Sequence, residues 1–468
     1  MLTQKVSEIT GNFSVKLLLV AVLIELVILL TYAVLPAKLN IFVYGCLVIS
    51  FFYLLIPNPV AASIVLSVII AILLPKTYGR PLGIKFEEIF PLLTGFFLLL
   101  EYFRGALKLR PIGKIGQGLL LFLIVAFISF ATGLLKGRNS ILVVDELLMM
   151  LAWGYYLFVV EANLTFSEQK YIVKALIFAS FIVSLFYIYK FISLHGLTRF
   201  RTDQQHIFNV TIPVLFAVIL YYPKNYIKIL AALLMIPMIL AVYITLTRAL
   251  WIFIPLSLLG QYLFYIKEQK KFQTLFRGVL PVIIIVALSI IGLLVLNKLL
   301  GVQTLLEKRL QTFKFLEYDP SLMARAELGL YIYKRLRTGF LFGSGLGDFL
   351  RYRYFPTLGR FNVYWLDNTY LQLLWKTGVI GTILFLLFLF HFFKRVKYLM
   401  TLSNTPFIKI LGTSLFFSFF ALALSSLQCG ILIGYRFNFV WATLFALVEI
   451  CSQECKNRTT NTKGANTV

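Results

Sequence analysis

A chain of 468 residues that is 60% hydrophobic and only 13% charged, with a mean hydropathy of +0.89, is far from a soluble domain's roughly 45–50% apolar and 25% charged mix. That excludes a soluble globular protein. The 44 Lys and Arg against 19 Asp and Glu leave a formal charge of +25, which cannot be read as a nucleic-acid footprint before the membrane side of each charge is assigned.

A membrane span needs about 20 apolar residues. In chain order the sequence predicts spans near 15–35, 39–57, 59–75, 87–103, 117–135, 141–160, 171–193, 207–222, 229–246, 249–266, 278–297, 377–393, 408–428 and 437–452. The first is too long for a signal peptide and is followed at once by more spans, so nothing reads as cleaved. The expected class is an all-α polytopic membrane protein with about 12–14 transmembrane helices and one long helical extracytoplasmic loop. It divides into N-terminal spans (1–228), a region 229–393 containing that loop (298–376), C-terminal spans (394–452) and a loose polar tail (453–468).

Short cytoplasmic loops are rich in Lys and Arg. With Met1 inside, the inside loops hold Arg104, Lys108, Arg110 and Lys114, then Lys224 and Lys228, then Lys267, Lys270, Lys271 and Arg277, then Lys394, Arg395, Lys397 and Lys409. Both termini are then cytoplasmic and the long loop lies outside. It carries twelve basic and six acidic residues, about +6, and long loops are exempt from the topology rule. A cationic surface beside a membrane suits an anionic headgroup or a diphosphate. The four cysteines and three histidines (His195, His206 and His391) show no disulfide or metal-ligand spacing.

Four places carry possible chemistry. The stretch from Ile229 to Ile266 has one charge, Arg248, in TLTRALW. As a single helix it would run about 57 Å, so it must fold back there, which sets the guanidinium at the outer membrane boundary, to bind or simply to snorkel. In DPSLMARAELGLYIYKRLRTG (319–339), Asp319 and Pro320 signal a helix start and Gly339 a stop. Arg325 falls on the apolar stripe with Leu322, Leu328, Ile332 and Leu336, so it needs an anionic partner, a ligand or a structural carboxylate such as Asp348 or Asp367. Arg335 and Arg337 read as solvated. LFGSGLGDF (341–349) has three alternate glycines without the strand and crossover of a nucleotide fingerprint, and reads as a shaped turn setting the Arg325 helix against the next part of the chain. DNTYLQLLWKTGVIG (367–381) leads into a span. Asp367 there is either an N-cap or a carboxylate poised to accept a proton from a hydroxyl.

This order of elements, specific over residues 240–390, resembles the superfamily of O-antigen ligases and O-antigen polymerases. RFRTDQQHIFN (199–209) is similar to an outer-loop element of that family and adds Arg199 and Arg201 as substrate-binding candidates. The resemblance implies a metal-independent, inverting GT-C glycosyltransferase without cofactor. Its substrates would be a glycan carried by undecaprenyl diphosphate and a glycan acceptor, met at the outer face of the bacterial inner membrane. Carried over by motif, Arg248 and Arg325 would hold the diphosphate. Asp367 stands where ligases commonly have a histidine, followed by the asparagine matched by Asn368. That departure favours a polymerase over a ligase. The reading of another class is a glycolipid flippase, for which more charges along the spans are expected.

Overall fold

The computed structural model describes residues 56, 58–73, 86–105, 111–193, 203–245, 247–269, 320–337, 339–354, 359–402 and 405–465. The predicted spans 15–35, most of 39–57 and 278–297 lie outside these residues. The helices are α1 (Pro59–Leu73), α2 (Phe86–Phe103), α3 (Lys114–Leu135), α4 (Ser140–Leu151), α5 (Tyr155–Glu161), α6 (Phe166–Ser193), α7 (Phe208–Tyr221), α8 (Asn225–Ile244) and α9 (Arg248–Gln269). They continue with α10 (Pro320–Leu336), α11 (Thr369–Leu402), α12 (Pro406–Ser425) and α13 (Tyr435–Ala465).

Among the described residues eight helices, with α4 and α5 running on as one, are long and apolar enough to cross a membrane. The chain is thus an all-α polytopic membrane protein. Among the described residues of its long loop, an antiparallel hairpin of β1 (Leu350–Tyr354) and β2 (Gly359–Val363) departs from the expected helix. The C-terminal tail also differs from expectation. It continues α13 as helix to Ala465 instead of leaving the last turn loose.

Helix boundaries follow local chemistry. Asn58 caps α1 by accepting from Val60 N (3.0 Å), just where Pro57 and Pro59 forbid a continuous helix. α10 begins at Pro320, whose missing N–H costs nothing in a first turn, and stops before Gly339. α13 is enclosed by α1, α5 and α11, and its residues from Val440 to Ser452 are all buried. There Phe445 stacks on Phe392 at 3.6 Å and meets Trp153 edge-on at 5.1 Å. Arg395 of α11 grips buried Glu449 of α13 through Nε and Nη2 (3.1 and 2.8 Å).

α11 is broken. At Gly378 the backbone turns to φ 71° and ψ −170°, which only glycine adopts freely. The break frees carbonyls and amides that lipid could not satisfy, and the LFGSGLGDF segment satisfies them. Ser344 N donates to Trp375 O (2.8 Å) and Gly345 N to Lys376 O (3.2 Å). Val379 N and Ile380 N donate to the carbonyls of Phe340 and Leu341 (3.0 and 3.2 Å). Gly343, Gly345 and Gly347 all have positive φ, and a Cβ on Gly345 would strike the backbone of Gly133 in α3. The glycine run is therefore a plug that lies backbone-to-backbone between α3 and the break.

Candidate functional site

The plug brings charge with it. Lys376, fully buried beside the break, is paired with Glu146 of α4 (Nζ to Oε1, 2.6 Å) and donates to the carbonyl of Asp348 (2.5 Å). The other oxygen of Glu146 accepts from Gly347 N at 2.7 Å. The Asp348 carboxylate, also fully buried, takes Arg138 (2.6 Å) and Arg335 (3.3 Å) on one oxygen and the Trp375 indole (2.9 Å) on the other. Asp348 thus ties α10 to the membrane helices. Arg335, read as solvated from sequence, is one of its partners. Below this pair Ile332, Leu350, Leu366 and Trp375 form a small apolar core flanked by Leu328 and Leu336, the stripe predicted for α10.

The second cluster surrounds Arg248. α8 and α9 are two helices joined at Thr245 to Thr247, so the expected fold-back is real and Arg248 is the first residue of α9, half-buried. Thr247 donates to buried Gln205 Oε1 (3.1 Å) in the short helical turn preceding α7. Gln204 beside it ties that turn to the end of α1 through the carbonyls of Ile72 and Leu73 (2.9 and 3.0 Å). Two buried amides here are not fully used. Asn209 has no hydrogen-bond partner at either side-chain atom, and Gln205 has none at Nε2. Immediately alongside, an apolar cleft of about 380 Å³ runs between α7, α8 and α9, lined among others by Phe216, Tyr243, Leu250, Trp251 and Ile254. Polar groups close in sequence to the walls of an apolar slot suit a ligand with a charged head and a hydrocarbon tail.

Asp367 and Asn368 precede α11. Asn368 is the cap: its Oδ1 accepts from Leu371 N (3.0 Å) and its Nδ2 donates to Leu427 O (2.8 Å). Asp367 is exposed and does not serve as the cap. Thr369 N donates to Ser426 O (2.9 Å), which fixes the start of α11 to the end of α12. α12 runs antiparallel to α9, since Lys409 pairs with Glu268 and Gly260 abuts Phe417. The end of α12, and Asp367 with it, therefore emerges at the same end of the bundle as Arg248. Arg325 lies in the second turn of α10, with its side chain outside the described residues. Arg199 and Arg201 lie outside them too.

Sequence reading missed Glu146, Arg138 and Lys376, whose pairings span some two hundred positions, and the amides of Gln205 and Asn209. The one available signal was chemical: Glu146 and Lys376 are charges in or beside apolar segments and need partners. The spans do hold charges, the feature expected of a flippase. Yet Glu146 with Lys376, Glu449 with Arg395 and Glu268 with Lys409 are all paired. Among the described residues no group of three His, Cys, Asp or Glu could hold a metal.

Among the described residues, eight helices long and apolar enough to cross a membrane, with buried charges paired between them and a helix break plugged by backbone, define a multi-pass membrane protein. Residues 230–386 match the family described as O-antigen ligase. That segment spans the Arg248 turn, α10, the glycine plug and the start of α11, so the similarity to that family lies in this part of the chain. A comparison with curated proteins gives no match.

Proposed function

We propose that this chain transfers an oligosaccharide from undecaprenyl diphosphate to a second glycan at the outer face of the bacterial cytoplasmic membrane, with both termini inside. The observation that carries the reading is the juxtaposition of Arg248 and the incompletely bonded amides of Gln205 and Asn209 with an apolar cleft. Polyprenyl diphosphate has a matching shape: a doubly anionic head on a long hydrocarbon chain. Its head would meet Arg248 and Arg325, and its tail would lie in the cleft.

The reaction breaks the bond between the anomeric carbon and the phosphate oxygen while the acceptor hydroxyl oxygen bonds to that carbon. The hydroxyl proton passes to Asp367, and the diphosphate leaves with added negative charge. Fixed guanidiniums in a low-dielectric site stabilise that charge as it develops, by on the order of 3 kcal/mol for one such group. The exposure of Asp367 fits a base that must be reached by an incoming glycan, while Asn368 holds the helix start beside it.

Polymerase chemistry, in which the acceptor is another lipid-linked repeat unit, is the favoured form. The test is the purified chain with one lipid-linked repeat unit and no other acceptor. A ladder of products is expected. Product only after a lipid A core acceptor is added would make it a ligase, and no product with either would overturn the assignment. Asp367→Asn should abolish the ladder, and an intact ladder would remove Asp367 from the role of base.

A further inference from the structure

At the end of the bundle opposite Arg248 lies a larger cleft, of about 750 Å³, between the first turns of α6, the end of α7, the start of α8 and the start of α12. α8 begins at this end and finishes at the Arg248 turn, so the two sites are separated by its twenty residues, about 30 Å. The wall is apolar, with Ile177, Phe181, Leu215 and Leu234 among its residues, and no acidic side chain lines it.

Its charge comes from two lysines one helical turn apart, Lys170 and Lys174, with Tyr222 and Thr405 as the other polar residues of the lining. Lys170 lies over the Phe166 ring, 4.2 Å from its centroid, and 5.9 Å from that of Phe407, so its stem is packed and its ammonium is held at the cleft. Lys174 lies 5.4 Å from the Tyr171 ring. The nearby carboxylates are committed elsewhere. Glu168 accepts from Thr165 (2.7 Å to N), and Glu268 pairs with Lys409. Lys224 and Lys228 add two cations around the start of α8. An apolar slot whose rim carries only positive charge differs from ordinary lysine snorkelling, which needs no slot.

We propose that this cleft binds one anionic diacyl phospholipid, its phosphate between Lys170 and Lys174 and its acyl chains along α6, α7 and α8. Basic pockets between membrane helices take anionic headgroups, each Lys contributing about 1 kcal/mol. In the orientation proposed above this is a lipid of the inner leaflet, on the side away from glycan transfer. The proposal does not depend on the reading of Arg248.

Native mass spectrometry of the full chain tests it, using phosphatidylglycerol and phosphatidylethanolamine of identical acyl chains. One phosphatidylglycerol should stay bound under activation that strips phosphatidylethanolamine. Lys170→Ala with Lys174→Ala should weaken it about thirtyfold, the equivalent of ~2 kcal/mol. Lys394→Ala with Lys397→Ala, exposed at a different helix end, should leave it unchanged. Should the double variant fail to fold, Lys174→Glu alone, at an exposed side chain, must still reduce retention. Equal retention of both lipids, retention unaffected by the lysine changes, or displacement of phosphatidylglycerol by undecaprenyl phosphate at equal concentration would each overturn it.

Discussion

Two polar regions meet the membrane at the same end of this molecule, and they are finished differently. Around Lys376 the acidic groups are fully matched: both oxygens of Glu146, both oxygens of Asp348 and the carbonyls freed at Gly378 have partners, while Nε of Arg138 beside them has none. Around Arg248 the buried amides of Asn209 and Gln205 keep bonding capacity unspent. A buried polar group without a partner is costly, about 1–3 kcal/mol. Carboxylates matched on every oxygen fix a fold, whereas unmatched amides beside a cleft are the arrangement a ligand would complete. On the proposed reading, that difference divides scaffold from site.

The largest expected effect lies in the scaffold. Glu146→Ala leaves Lys376 buried and uncompensated, which should cost ~3–5 kcal/mol. Thermal unfolding of the purified protein would show a large fall in Tm, and an unchanged Tm would dissolve the contrast. Next, Arg248→Ala and Arg325→Ala should each slow glycan transfer about a hundredfold while Tm is retained. A smaller effect belongs to Asn209→Leu. An amide with no partner loses nothing on replacement, so stability should hold or rise. Transfer should fall about tenfold through the lost hydrogen bond to an anionic substrate, read as a rise in KM. A fall in Tm instead would assign Asn209 to the scaffold. The smallest concerns Arg337, exposed at the end of α10. Arg337→Ala should shift stability by less than about 0.5 kcal/mol and leave transfer alone.

Much of the architecture was legible because hydropathy needs no partner information. The fold-back at Arg248, the helix beginning at Pro320, its apolar stripe through Ile332 and Leu336 and the turn made by Gly343, Gly345 and Gly347 all arise from local chemistry. What stayed hidden is pairing. Arg335 reads as solvated by its place on α10, yet it reaches Asp348 together with Arg138, a partner from a distant part of the chain that no local pattern could indicate. The neighbours Asp367 and Asn368 were equally open to the capping role, and it fell to Asn368. The break within α11 is written in one residue, Gly378, whose meaning depends on a plug from elsewhere in the chain. The polar stretch after Gln453 lacks an apolar face, yet it extends a helix already nucleated by the buried segment before it.

The most direct test measures Tm and transfer rate together on one preparation of each of Glu146→Ala and Arg248→Ala. The account predicts that the first loses stability and activity in step, and that the second keeps its Tm and loses transfer about a hundredfold. An Arg248→Ala protein that transfers glycan at the unmodified rate would contradict it.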